Sequence, residues 1–326
     1  MAEVKKEFGV IGLGRMGGNL ALQALEKKMR VAGYTRGGAP QELVGAGLVE
    51  VESPADFQEK LSPPRAIFIY IPAGAAVDSV IDDLASNLEA GDIIVDGGNS
   101  YWGDSIRRHR RLRIEKSIYF VDLGTSGGVE GARHGACFMA GGDSEAIARI
   151  EPILLDLAVP GGYVHAGAPG AGHFVKLVHN GIEFGMLQAI SEGMNLLEFY
   201  RQNRDPIHIE EVLRCWRHGS VIRSWLIDLM DEAYQTQGGM ESIPPYVEDT
   251  GEVNWLVDDA LHMEVPTPVI AQSVMQLFAS RDDEQYWARA IAMMRHGFGG
   301  HPYGHRKAIV RERREGRIGG FLPKQD

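Results

Sequence analysis

Lys176, His179, Asn180 and Glu183 fall at positions i, i+3, i+4 and i+7 of one continuous segment. On a helix those offsets set all four on a single stripe. The stripe joins an amine, a carboxyl group and two hydrogen-bonding side chains. Such a set can take a proton from one atom of a small polar substrate and return one to another. The neighbouring Val175, Leu177, Val178, Ile182 and Phe184 predict burial of the remaining faces. A polar stripe on an apolar helix is most often a solvated face. This one begins just past the glycine-rich run Ala166 to Gly172, at a domain junction, where ligand clefts tend to form.

A second chemical feature lies near the start of the chain. Gly12-Leu13-Gly14-Arg15-Met16-Gly17 follows an apolar strand, Phe8 to Ile11, and opens a helix running to about Lys28. In that setting the first glycine permits a tight turn, the second lets backbone approach a pyrophosphate and the third lets helix pack on strand. The helix N-terminus then offers N–H groups and a favourable dipole to phosphate. At the end of the next strand, where an NAD enzyme usually carries an acid for the ribose 2′-hydroxyl, stand Thr35 and Arg36. No carboxylate there repels a 2′-phosphate and a guanidinium is available to pair with it, so NADP is the preferred cofactor, with NAD the alternative. Arg36 stacked on adenine or lying in solvent is compatible with NAD.

These features need elements to hold them. Five apolar runs, Phe8–Ile11, Arg30–Tyr34, Ala66–Ile71, Ile93–Val95 and Ile118–Val121, alternate with helical segments, the pattern of a parallel sheet covered on both faces. Ligands in such sheets bind beyond the carboxyl ends of the strands. The loops there carry Pro72, Ala73 and Gly74, then Asp96 to Ser100 with Asn99, then Gly124 to Gly128 with Ser126, Gly127 and Gly128. Taken singly, each loop reads as a turn. After about residue 165 strand signals almost vanish, and helices are predicted over His173 to about Gln202, Ile209 to Arg217, Trp225 to Tyr234, Glu252 to His262 and Ala271 to Met294. The expected architecture is α/β: a Rossmann-type doubly wound sheet over residues 1–165, then an all-helical domain over 166–326 for substrate binding and dimerisation, ending in a basic tail.

Composition bounds the partners. The 326 residues are 44% hydrophobic and 24% charged, ordinary for a globular protein with two cores. A net charge of -11 argues against generic nucleic-acid binding, and any anionic substrate must be held by local cations against the overall field. Cys137 and Cys215 form no disulfide framework and have no metal-ligand spacing around them, which suits a reducing, cytoplasmic setting. The apolar run near the start is too short for a signal peptide core or a membrane span.

The run Gly172-His173-Phe174-Val175-Lys176, continuing through Val178-His179-Asn180-Gly181-Ile182-Glu183, closely resembles the signature of the 6-phosphogluconate dehydrogenases, within the β-hydroxyacid dehydrogenase superfamily. Asp96-Gly97-Gly98-Asn99-Ser100, Ser126-Gly127-Gly128, Trp216 to Leu229 and Arg295 with Phe298-Gly299-Gly300-His301 resemble it too, in the same order over about residues 8 to 302. The length is similar to that of the short-form enzymes. The resemblance implies oxidative decarboxylation of 6-phosphogluconate to ribulose 5-phosphate and CO2 with reduction of NADP or NAD, as in the pentose phosphate pathway. Lys176 would be the general base and, once protonated, would stabilise the negative charge developed as CO2 leaves, so that no metal is called for. The lysine must be neutral to act, and burial and nearby cations favour that form. Glu183 would protonate C1 of the enediol. Asn99, Ser126, Gly127, Gly128, His179, Asn180, Arg281, Arg295 and His301 would hold the substrate. Gly12, Leu13, Gly14, Arg15, Met16, Gly17, Thr35, Arg36, Pro72, Ala73 and Asn99 would hold the nucleotide. A homodimer or homotetramer is implied, with no nucleic-acid or membrane partner.

The chain departs from the family pattern where the substrate phosphate would be held. Phe184 replaces a tyrosine, Thr250 a lysine of the long forms and Leu277 an arginine, with Arg281 one turn away; Val253-Asn254-Trp255 replaces Gly-Arg-Trp. The alternative substrate is therefore another aldonate, such as 6-deoxy-6-sulfogluconate. The tail beyond His301 carries His305, Arg306, Lys307, Arg311, Arg313, Arg314 and Arg317. It reads as a solvated basic helix, or as an arm that brings Arg295 and His301 to a neighbouring subunit.

Overall fold

The computed structural model describes residues 6–307, 309 and 310. Arg311, Arg313, Arg314 and Arg317 of the basic tail lie outside the described residues. The chain divides after Asn180 into two compact units, fifteen residues later than the junction read from the sequence.

In the first unit strands and helices alternate. β1 (Glu7–Ile11), α1 (Arg15–Glu26), β2 (Arg30–Tyr34), α2 (Gln41–Gly45), β3 (Val49–Glu50) and α3 (Phe57–Lys60) come first. β4 (Ala66–Ile69), α4 (Ala75–Ala85), β5 (Ile93–Asp96), α5 (Trp102–Lys116) and β6 (Tyr119–Ser126) follow. α6 (Gly128–His134), β7 (Ala136–Gly141), α7 (Ser144–Leu157) and β8 (Ala158–Gly167) complete it. The sheet order is β3-β2-β1-β4-β5-β6-β7-β8, parallel from β3 to β6. β7 runs antiparallel to β6, and β8 is parallel to β7. The direction of winding reverses between β1 and β4, which opens a crevice at their carboxyl ends.

The apolar runs are strands because each must satisfy two cores. On one face Phe8, Val10, Phe68, Val95 and Val121 pack with residues of α1 and α7; on the other Ile67, Ile69, Ile94 and Phe120 pack with residues of α4 and α5. Alternate residues of β4 and β5 thus enter different layers, which is why neither strand shows polar alternation. The sheet has eight strands where five were expected. β3 is two residues long, too short to leave a pattern. β7 and β8 were missed because β7 begins beside glycine and β8, AVPGGYVHAG, carries proline and paired glycine. That composition is tolerated because β8 is an edge strand, partly exposed along its length.

α8 (Ala171–Asn203) continues from the first unit into the second. Then come α9 (Ile209–Arg217), α10 (Trp225–Gln237), α11 (Glu252–His262), α12 (Pro268–Ser280) and α13 (Tyr286–Gly299). Met194, Ile209, Leu213 and Tyr234 form a small core in this helical unit. The single long helix expected over Ala271 to Met294 is two helices. α12 starts earlier, with Pro268 in its first turn, and the chain breaks at Arg281 to Gln285, where Gln285 takes φ 47°. Charged residues at 281–284 give that stretch no apolar face to bury, so the helix has no reason to continue. Among the described residues no helix is long and apolar enough to cross a membrane.

Candidate active site

The crevice between β1 and β4 is built by glycine. Gly12 has φ 92°, and a Cβ on it would stand 2.2 Å from the Tyr70 carbonyl oxygen. A Cβ on Gly17 would stand 2.1 Å from the Gly12 carbonyl, so α1 lies on the strand end only because both are glycine. Gly14 differs: apart from its chain neighbours, a Cβ there would meet nothing within 4 Å among the described residues. That open space is what the second glycine of the motif is expected to leave for a pyrophosphate. Gly14 is also the N-cap of α1; no side chain caps that helix and its first turn holds no acid, so the leading N–H groups face the crevice uncapped. Leu13 is buried, Met16 half-buried and Arg15 exposed. These residues fit a dinucleotide.

Thr35 and Arg36 follow β2, half-buried and exposed respectively, in a turn closed by the Gly38 N–H on the Thr35 carbonyl at 3.2 Å. Glu50, paired across from Gly33, accepts the Ala39 N–H at 2.7 Å and so shapes this turn. A carboxylate therefore does stand near the predicted ribose corner, brought by β3 and invisible to a reading confined to β2. Pro72 and Ala73 are exposed on the loop after β4.

Asn99 is exposed at the tip of the loop after β5, and the loop's shape comes from buried charge. Asp96 accepts the Ser100 hydroxyl at 2.7 Å, the Gly98 N–H at 3.2 Å and Arg108 Nη1 at 3.2 Å. Both Asp96 and Arg108 are fully buried. Arg108 also donates through Nε to Asp78 at 3.0 Å and through Nη2 to the Gly74 carbonyl at 3.3 Å, which ties the loops after β4 and β5 together. Burial alone would raise the Asp78 carboxyl, but the guanidinium groups of Arg108 and Arg107 hold it below its ordinary range.

Lys176, His179, Asn180 and Ser126 are brought together. Lys176 is 9% exposed, and its amine donates to Asn180 Oδ1 at 2.6 Å and lies 3.4 Å from His179 Nδ1. His179 Nδ1 is 3.1 Å from Asn180 Oδ1, and its Nε2 is 3.0 Å from the Ser126 hydroxyl. With the imidazole proton on Nδ1, Nδ1 donates to Asn180 and Nε2 accepts from Ser126. Gly127 and Gly128, with φ 107° and 59°, turn the chain away immediately after Ser126. Gly124 lies beneath the lysine: a Cβ on it would be 2.5 Å from Lys176 Cβ and 3.0 Å from the Gly172 carbonyl. Asp122 is fully buried and accepts the Gly170 N–H at 2.7 Å and the His173 N–H at 2.8 Å. Burial pushes its carboxyl above the ordinary value, against the pull of His173 and the two N–H bonds. Sequence reasoning missed Asp122 and read Gly124 as the start of a loop, whereas both lie within β6. The signal was an acid and a glycine following a run of apolar strand residues, where neither belongs without a partner.

Glu183 stands seven positions beyond Lys176 on the same helix, half-buried. Of the residues expected at the substrate from the helical unit, Arg281 is paired with Asp249 at 2.7 Å. Arg295 is exposed on α13; with His301, His305 and Arg306 it lines one hollow, and the His301 carbonyl accepts from His296 Nδ1 at 2.9 Å. Phe184 and Leu277 are half-buried, and the Thr250 hydroxyl donates to Glu252.

Two family models match. Residues 7–167 match the NAD binding domain of 6-phosphogluconate dehydrogenase, and residues 172–299 match the 6-phosphogluconate dehydrogenase C-terminal domain. The chain is 43% identical over 296 residues to YqeC of Bacillus subtilis, covering 90% of this chain and 98% of that one. It is 38% identical over 298 residues to the NAD(+)-dependent, decarboxylating 6-phosphogluconate dehydrogenase of Haloferax volcanii, covering 90% and 97%. Among solved structures, Plasmodium falciparum 6-phosphogluconate dehydrogenase, determined apo, with NADP+ and with 6-phosphogluconate, superposes with a TM-score of 0.76 at 27% identity, covering 92% of this chain and 66% of that one.

Proposed function

This chain belongs to the 6-phosphogluconate dehydrogenase family, and we propose from that premise that it oxidatively decarboxylates 6-phosphogluconate to ribulose 5-phosphate and CO2. The observation that carries the reading is the buried Lys176 amine, held by Asn180 beside the carboxyl end of β6. A nicotinamide cofactor bound along Gly12 to Gly17 supplies the acceptor for the hydride that leaves C3. Lys176 takes the C3 hydroxyl proton as that hydride departs. Protonated, it donates a hydrogen bond to the new C3 carbonyl oxygen. The electrons of the breaking carboxylate bond move toward that oxygen, and the fixed cation stabilises them without reorganisation. Glu183 then protonates C1 of the enediol. His179, set by Ser126 and Asn180, and Asn99, set by the Asp96–Arg108 pair, orient the hydroxyls of the sugar acid.

The test supplies purified protein with 6-phosphogluconate and each cofactor, and follows reduced nicotinamide and released CO2 together. Equal yields of both are expected; reduction without CO2 refutes decarboxylation. The same assay with 6-deoxy-6-sulfogluconate ranks the two substrates by kcat/KM. Arg36 supports a preference for NADP, while Glu50 beside the same turn opposes it. A kcat/KM ratio favouring NADP is expected, and a tenfold preference for NAD overturns that assignment.

Glu183→Gln removes the acid and keeps the shape. Turnover is expected to fall about 10²-fold or more, with solvent deuterium appearing at C1 correspondingly slowly. Unchanged turnover and unchanged incorporation refute the role of Glu183.

Exposed Ile182, Met186, Leu196, Phe199, Trp225 and Val269 of the helical unit support a homodimer or larger homo-oligomer, measurable by sedimentation. The two free cysteines support a reducing, cytoplasmic location.

A further inference from the structure

We propose that Asp122 is a positioning residue for Lys176: it pins the first turn of α8 to β6 and so fixes where the lysine amine stands. The proposal rests on the assignment of Lys176 as the base. Residues 122, 124 and 126 of β6 share one face of the strand, and each meets α8 at a different turn. Asp122 accepts the N–H groups of Gly170 and His173, at the start of the helix. Gly124 receives the Lys176 stem, and Ser126 bonds His179.

A helix leaves its first N–H groups without intrahelical partners, and a local Ser, Thr, Asp or Asn usually accepts them. Here the acceptor comes from a strand 48 positions earlier, so the bond that caps the helix also sets its register on the sheet. The surroundings make room for it. A Cβ on Gly141 would lie 2.7 Å from Asp122 Oδ1, and a Cβ on Gly172 would lie 2.4 Å from the Asp122 carbonyl. Nothing in the chemistry of the substrate uses this carboxylate, which is fully buried behind the helix start. Its cost of burial is met by two N–H bonds whose other consequence is the placement of the base.

Asp122→Asn tests this in the full-length protein. The amide keeps the volume but leaves one oxygen to accept, and its NH2 group faces an N–H. A displacement on the order of 1 Å at the base is enough to cost about 10²-fold in rate. The expected result is a kcat about 10²-fold lower, with cofactor affinity within about twofold of the parent. The primary isotope effect on kcat with C3-deuterated substrate is expected to grow, because the step that uses Lys176 becomes limiting. A merely structural role lowers the fraction of folded enzyme and leaves the isotope effect unchanged. Parental kcat and isotope effect in Asp122→Asn overturn the proposal. Lys176→Met separates the two ideas: if that variant stays active, the base assignment has failed and not only the positioning role. Should Asp122→Asn not fold, amide exchange in the parent protein decides. Gly170 and His173 amides are expected to exchange as slowly as those of β6, and exchange at the rate of exposed loops refutes the clamp.

Discussion

Replacing Lys176 by methionine is expected to lower kcat about 10³-fold, within the range that general acid–base groups supply, and to leave nicotinamide cofactor affinity unchanged. Methionine keeps an unbranched stem against Gly124, where a Cβ would meet the Lys176 Cβ at 2.5 Å, so the helix keeps its seat on β6. What disappears is the amine proposed to take the hydroxyl proton and then to steady the charge as CO2 leaves. Lys176 is 9% exposed, so an apolar group there carries no desolvation penalty, and His179 Nδ1 remains at 3.1 Å to satisfy Asn180 Oδ1. The variant should therefore melt no lower than the parent. Steady-state turnover, a cofactor titration by fluorescence and a thermal melt check the three parts together. Near-parental turnover in a folded, cofactor-binding variant removes Lys176 from the mechanism.

Arg108→Met gives the largest expected loss of stability, about 3–5 kcal/mol by urea denaturation, because it breaks a buried ion pair by deleting one partner. Arg108 and Asp96 are both fully buried at 3.2 Å. Without the guanidinium, Asp96 keeps, among the described residues, the Ser100 and Gly98 donors to offset its charge, and Asp78 loses one of its two arginines. The neighbouring Arg107 sets the contrast. Its side chain is 51% exposed and also pairs with Asp78, so Arg107→Ala should cost no more than about 1 kcal/mol. The difference between two adjacent arginines of α5 isolates burial as the cause. Because Arg108 also ties down the Gly74 carbonyl, any folded fraction of Arg108→Met should show a raised KM for substrate, through a loosened Asn99 loop. Equal stability losses for the two variants contradict this account.

Features encoded by local spacing were already legible in the residues. Helical spacing put Lys176, His179, Asn180 and Glu183 on one stripe, and the structure carries them on one helix. The glycine fingerprint lay between an apolar strand and a helix, and in the structure two of its three glycines are jammed against backbone and one is open. Alternation of apolar runs with helices gave the doubly wound sheet, because a strand buried on both faces has no polar alternation to disguise it. Features that depend on distant partners arise only once the chain has folded. Ser126 meets His179 across 53 positions, Asp122 caps α8 across 48, and Glu50 reaches the Arg36 turn from a two-residue strand. β7 and β8 extend the sheet although glycine and proline weaken their local signal, since pairing with β6 and with each other supplies the bonds that propensity does not. The last long helix breaks at Arg281 because a period can continue where the apolar face to be buried does not. Periodicity encodes which face an element turns inward, and only packing decides what that face meets.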